Sequence, residues 1–210
     1  MKTFRDWLSD QEWEQLRVST RVVSFAKHQR VYSAGSESRS MYFIESGFVG
    51  LIQVSFKGSE HLLRLFHAGQ VFGHRTFFAC DMHHCNATCL AQSNIRIIPR
   101  SQIMAMIANN CNIAVKFAEL LALELAAAEN MRVNLSDKDV SQRVAESLLY
   151  LLELQPDYLW TRREIAEFCG TSTETVIRVI RSFDEQGLVV TDGRKMRIVD
   201  KQSLLNIAGH

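Results

Sequence analysis

No stretch of the 210-residue sequence is long and apolar enough to span a bilayer. The first residues, Met1 to Leu16, mix polar and aromatic side chains where a secretory signal would show a charged head and an apolar core. A soluble cytoplasmic protein is expected. Cysteine is sparse, and five of them without a targeting segment predict thiols, ligands or core positions, not a disulfide framework. Charge of one sign is also lacking. The whole chain is formally +1, and residues 137–210 hold ten Lys/Arg against twelve Asp/Glu, a charge of −2 that leaves +3 for the rest. Bulk charge therefore gives no electrostatic case for a polyanionic partner, and only a local patch can supply one.

What is present falls into three stretches. From Val22 to Ile98, short β-type runs are punctuated by Gly35, Gly47, Gly58, Gly69 and Gly73. The clearest strands are Met41 to Ile44, Phe48 to Val54, Leu62 to Phe66 and Ile95 to Ile98, a rhythm that predicts an antiparallel jelly roll or barrel able to enclose a small-ligand pocket. Ser101 to Leu135 then reads as a Leu/Ala-rich helix. Phe117, Leu121, Ala128, Met131 and Leu135 follow a three-four spacing that Glu124 interrupts. Such a helix predicts a self-association face or packing on its own β-roll, and both can hold, because the apolar sector also includes Leu120, Leu123 and Ala127. Asn134 to Asp137 reads as a hinge before a fresh helix from about Lys138 to Leu154. The fold class is thus α+β, with residues 1–110 a β-roll sensor domain, 111–136 a dimerisation helix and hinge, and 137–210 a second domain.

The most specific pattern lies in that last stretch. Thr161 with Glu164 three residues on is a capping box, and Ile165, Ala166, Phe168 and Cys169 give the helix it starts an apolar face. Gly170 supplies a left-handed turn residue, and Thr171 or Ser172 caps a second helix. That helix places Val176, Val179, Ile180 and Phe183 on one face, with Thr173, Glu174, Ile177, Arg178 and Arg181 on the other. Two β-type runs follow, Leu188 to Val190 and Met196 to Val199, separated by Thr191 to Lys195, which reads as a hairpin with basic Arg194 and Lys195 in its turn. Caps, glycine, core stripe and hairpin in this order describe a winged helix-turn-helix, a unit that lays one helix in the DNA major groove. Arginine fits the acceptor edge of guanine, a glutamate accepts from cytosine, and Ile177 suits a thymine methyl. The candidate DNA-binding residues are Thr161, Arg162, Ser172, Thr173, Glu174, Ile177, Arg178, Arg181, Arg194 and Lys195.

A glycine-punctuated β-roll, a long helix and a C-terminal winged helix-turn-helix resemble the bacterial Crp/Fnr family of transcription regulators across nearly the whole chain. Thr161-Arg162-Arg163-Glu164-Ile165-Ala166 and Glu174-Thr175-Val176-x-Arg178 look like the family's helix-turn-helix signature. The resemblance implies a homodimer on a palindromic operator in double-stranded DNA, with Glu174 and Arg178 at a C·G or G·C pair, Thr173 and Ile177 at the variable positions, and RNA polymerase as a further partner. It also implies a cyclic-nucleotide-binding-like pocket formed by Phe72, Gly73, His74, Arg75, Cys85, Asn86, Ala87, Ala128 and Glu129. Members that bind cyclic AMP carry Phe-Gly-Glu and Arg-Ser-Ala, where this sequence has Phe72-Gly73-His74 and Cys85-Asn86-Ala87. The ribose-binding glutamate and the phosphate-binding arginine are both missing, which argues against cyclic AMP.

Cys80, His83, His84, Cys85 and Cys89 crowd the same region, as candidate ligands for a metal or an iron–sulfur cluster or as a redox couple. Their spacing matches neither a zinc knuckle nor a ferredoxin pattern, and the bland reading is that the cysteines fill a pocket while the histidines decorate a turn. A metal- or redox-responsive regulator is one alternative, and a cupin-like metalloenzyme another. No His/carboxylate triad on adjacent strands favours the enzyme, and no catalytic residues are assigned.

Overall fold

A computed structural model describes residues 3–209. The chain forms two compact units, one up to Ala126 and one from Ala127. In the first, a short 3-10 turn at Phe4–Trp7 leads into α1 (Asp10–Ser19), then β1 (Arg21–Phe25), β2 (Arg30–Tyr32), β3 (Ser40–Ser46), β4 (Phe48–Val54), β5 (Glu60–His67) and β6 (Val71–Phe72). A single helical excursion, α2 (His74–Ala79), precedes β7 (Asn86–Cys89) and β8 (Ser93–Pro99). The strands make two four-stranded antiparallel sheets, ordered β1-β8-β3-β6 and β2-β7-β4-β5.

Alternation along β3 explains how this unit holds together. Successive side chains leave a strand on opposite faces, so Tyr42 and Ile44 join Val49, Leu51, Phe66, Phe72, Cys85, Cys89 and Ile95 in the core between the sheets. Met41 and Phe43 face the other way, into a second core with Phe4, Leu16, Phe77, Ile103 and Phe117. The helices cover that outer face. Each large apolar side chain fully buried this way contributes roughly 1.5–3 kcal/mol.

The helical stretch is two helices, not one: α3 (Arg100–Asn109) and α4 (Asn112–Asp137). The break has a physical cause. Asn110 takes an extended conformation, its side chain donates to Glu12 Oε1 at 2.9 Å, and its Oδ1 accepts from the Asn112 backbone at 3.2 Å. Asn134 to Asp137, read as a hinge, are the last turn of α4. The helix ends instead at Lys138 and Asp139, where the Asp139 and Gln142 side chains cap each other's backbone N–H groups at 2.9 Å.

The second unit comprises α5 (Val140–Leu154), α6 (Arg162–Cys169), α7 (Thr173–Glu185), β9 (Val189–Asp192), β10 (Lys195–Ile198) and α8 (Lys201–Ala208). Its core collects Val144, Leu148 and Leu151 from α5, Ile165 and Ala166 from α6, Val176, Ile180 and Phe183 from α7, and Leu204 from α8. Trp160, 1% exposed, completes it and donates its indole N–H to the Leu151 carbonyl at 3.1 Å. Helix α8, beyond the sequence reading, packs on α5.

Candidate nucleic-acid interface and effector cavity

Local chemistry positions the reading helix. Thr161 Oγ1 accepts from the Glu164 N–H at 3.1 Å while Glu164 accepts from the Thr161 N–H at 2.8 Å, closing the predicted box at the start of α6. Gly170 ends α6 with φ +67°, and an added Cβ would lie 3.3 Å from Leu135 Cδ2. The left-handed φ strains any residue with a side chain here, and Leu135 would have to give by a few tenths of an ångström. Ser172, not Thr171, then caps α7 by accepting from the Thr175 N–H at 3.2 Å.

With Val176, Ile180 and Phe183 buried, the opposite face of α7 presents Glu174, Ile177 and Arg178 outward, and Ile177 is 50% exposed. Glu174 sits in the first helical turn, where its own backbone N–H and then the Ser172 hydroxyl hold its carboxyl below the usual range. It is an ionised acceptor. Thr173 is half-buried beside it, and Arg181 is exposed but paired with Glu185 at 2.9 Å. Arg178 makes no ion pair among the described residues. Arg162 is half-buried with its guanidinium against Met196 Sδ of the hairpin. The hairpin turn is tighter than expected: Asp192 pairs with Lys195, so only Gly193 and Arg194 form the loop, and both basic residues are exposed.

The first unit holds a cavity of about 10 Å³ lined by Tyr32, Leu51, Phe66, Gly73, His74, Arg75, Thr76, His83, His84 and Cys85. Room for roughly one water remains, whereas small-molecule sites run to about 300–1,000 Å³. The lining side chains are engaged with one another. His83 stacks on Tyr32 with ring centroids 3.6 Å apart and bonds Thr76 Oγ1 through Nδ1 at 2.9 Å. Burial, and then the nearby His84, push the His83 pKa down to about 4, so the ring is neutral. Arg75 contacts His84 Nε2 at 3.2 Å.

His74 turns to α4, where its Nε2 lies 3.0 Å from Glu124 Oε2, and Arg64 from β5 meets the same oxygen at 2.7 Å. Burial pushes the Glu124 carboxyl up, but the His74 hydrogen bond and the charges of His74, Arg64 and Arg75 outweigh it and leave the pKa below the usual range. Arg64 was not singled out from the sequence. Glu124 was visible only as an interruption in the apolar stripe.

Several expectations need correction. Of the pocket residues, Phe72 and Ala87 are core side chains of the β-roll, and Asn86 Oδ1 accepts from the Ala34 N–H at 2.9 Å, so none of the three lines the cavity. Ala128 and Glu129 are exposed residues of the second unit and are also absent from its lining. Phe117 is 1% exposed inside the first unit's own core, stacked edge-on against Trp7 and Phe78, and cannot serve a dimer face. Leu121 is half-buried, and Met131 and Leu135 border a groove of about 390 Å³ in the second unit together with Tyr150 and Phe168. The apolar residues that α4 exposes are Val115, Leu123, Leu125, Val133 and Leu135.

Three members of the cysteine–histidine cluster, His83, His84 and Cys85, line the cavity, and Cys80 and Cys89 are not in its lining. All five cysteines are free thiols, Cys85 and Cys89 are buried in the sheet-to-sheet core, and Cys80 is exposed, with the Arg100 guanidinium 3.1 Å from its Sγ. Among the described residues no three His, Cys, Asp or Glu side chains are placed to hold a metal ion. The strand that carries Cys89 turns it inward, away from exposed Cys80.

Comparison with known proteins decides the family. The cyclic nucleotide-binding domain pattern matches residues 22–110 and the Crp-like helix-turn-helix domain pattern residues 142–207. A Thermus thermophilus protein named cyclic AMP receptor protein is 30% identical over 161 residues, 76% of this chain and 74% of that one. The chain belongs to the Crp/Fnr family. The Escherichia coli fumarate and nitrate reduction regulatory protein is 24% identical over 97% of this chain and 85% of its own length. The solved structure of FixK2 from Bradyrhizobium japonicum superposes with a TM-score of 0.80 at 23% identity, covering 90% of this chain and 96% of that one. This Crp/Fnr protein is therefore a transcription regulator that binds DNA through its helix-turn-helix, and not an enzyme. Among the described residues no helix is long and apolar enough to cross a membrane.

Proposed function

We propose that this Crp/Fnr regulator acts in the cytoplasm as a homodimer on a palindromic operator, with α7 of each protomer in one major groove. Glu174 and Arg178 read a C·G or G·C pair, Thr173 and Ile177 set the neighbouring choice, and Arg194, Lys195 and the Ser172 and Thr161 caps hold phosphates. The single observation behind this reading is the split of α7, where a buried apolar face stands opposite an ionised acceptor, an uncommitted arginine and a half-exposed isoleucine. Exposed leucines and valines on α4 supply the apolar area for the second copy, and two-fold pairing presents two reading helices one DNA turn apart. Bound next to a promoter, such a dimer meets RNA polymerase. Cyclic AMP is disfavoured as the signal, because His74 and Cys85 stand where a ribose-binding glutamate and a phosphate-binding arginine would be needed.

Selection from a pool of random duplexes tests the reading, with sedimentation of the bound species. The expected result is an inverted repeat bound by two protomers, with preference lost at one base pair per half-site in Arg178→Ala. Recovery of a non-repeated site bound by one protomer sinks the proposal.

A further inference from the structure

The two units engage their charged groups differently, and the first engages them to hold α4. Glu124 lies in the middle of α4 with its side chain 6% exposed, and the side chains that meet it, His74 at 2% and Arg64 at 26%, come from α2 and β5. Burying a carboxylate is costly, and in some proteins such groups are kept for conformational direction and not for stability. Both side chains meet one oxygen, Glu124 Oε2, from different elements, at 2.7 Å and 3.0 Å. An apolar contact tolerates a sliding or rotating helix, whereas a hydrogen bond weakens steeply once its angle is lost. Rotating α4 by one residue, about 100° at 3.6 residues per turn, withdraws Glu124 from both partners. The trio thus sets the rotation and height of α4 on the β-roll, and α4 runs on unbroken to Asp137.

Of the other polar groups at the cavity, His83 Nδ1 is bonded to Thr76 and Arg75 meets the exposed His84, while His74 Nδ1 and His83 Nε2 are buried without a partner among the described residues, where there is room for roughly one water. We propose that the Arg64–Glu124–His74 trio is a built-in tether which fixes α4 without any effector, so that the regulator is competent for its operator in the ligand-free state. The three are positioning residues, and the inference rests on the operator-binding dimer proposed above.

The test compares the full chain before and after unfolding in guanidinium chloride and refolding in ligand-free buffer, by fluorescence anisotropy on the selected operator and on an unrelated duplex. Wild type is expected to keep its operator affinity within about twofold, because no effector-binding free energy enters the coupling. Glu124→Gln keeps the size of the side chain and removes the charge. Its expected loss on the operator is on the order of tenfold, inside the roughly 5–150-fold that such couplings span, with affinity for the unrelated duplex unchanged.

A triple variant, Arg64→Met, His74→Phe and Glu124→Leu, separates direction from packing, since apolar replacement of a buried ion cluster preserves stability. It is expected to resist urea as wild type does and still bind the operator as weakly as Glu124→Gln. Loss of operator binding after ligand-free refolding, or a Glu124→Gln or triple variant that binds as wild type, overturns the tether. A wild-type chain that prefers no duplex at all overturns the operator reading instead, so the two failures are distinguishable.

Discussion

The β-roll cavity and the outer face of α7 hold similar side chains and treat them in opposite ways. In the first unit, Arg64, His74, His83 and Glu124 meet partners from the same chain within about 3.0 Å, and Arg75 meets the exposed His84 at 3.2 Å. On α7, Glu174 and Arg178 face outward, and the charge of Arg178 is answered by no carboxylate among the described residues. A charged group already paired in a low-dielectric interior has little to offer a ligand, whereas an exposed one keeps its full hydrogen-bonding capacity. The family pattern over residues 22–110 is named for cyclic nucleotides, and the helix-turn-helix pattern that binds DNA lies in the second unit.

Four measurements sharpen or break that contrast. The largest effect is expected from Glu124→Ala, which leaves His74 and Arg64 facing each other without their carboxylate, side chain 6% exposed in the native state. The first unit should lose about 3 kcal/mol or more in urea unfolding, the cost of breaking a buried ion cluster from one side. Glu174→Ala on the exposed face should leave the unfolding midpoint unmoved while weakening operator preference. Equal midpoints for both variants would mean that the buried trio carries no stability.

Next is a pH effect from His83, whose pKa is pushed down from the ordinary 6.5 to about 4. The native state keeps this ring neutral while the unfolded chain takes up the proton, so stability is complete above pH 6.5 and falls as pH drops towards 4. Over that window the loss approaches about 3 kcal/mol at 1.36 kcal/mol per pKa unit. His83→Phe, which keeps a ring on Tyr32, should flatten the slope, and an unchanged slope would assign it to other groups.

Arg178→Ala should cost about 1–3 kcal/mol on the operator and relax one base pair, with little change on random DNA. Equal losses on both duplexes would reassign it to phosphate contact. The smallest effect is expected from Lys195→Ala, which should weaken all sequences alike and reduce the slope of log affinity against log salt by about one phosphate contact.

How far each region could be read in advance follows from the range of its interactions. Thr161 with Glu164, Ser172 with Thr175, Gly170 between them and the α7 stripe are bonded within a few residues, and all were legible. The strands of the β-roll were legible for the same reason, through alternation and glycine. The helical stretch from Ser101 to Leu135 is divided at Asn110, whose side chain bonds Glu12, 98 residues away, and α4 begins next to the start expected for the 111–136 helix. Phe117 looked like part of a dimer stripe because helical spacing gives a face but not what that face meets, and Phe4, Trp7 and Phe78 meet it. The cysteines and histidines looked like a cluster because they are near in number. His83, His84 and Cys85 do line one cavity, but Cys89 is buried in the sheet-to-sheet core and Cys80 is exposed.

By itself the sequence determined a reading helix with its caps, its turn and its exposed Glu174 and Arg178, since each of those is fixed by neighbours in the chain. Which charged side chains stay available and which are engaged inside was decided only by the tertiary structure. The His74–Glu124 contact closes across 50 residues, and a pairing of that range exists only once β-roll and helix have packed.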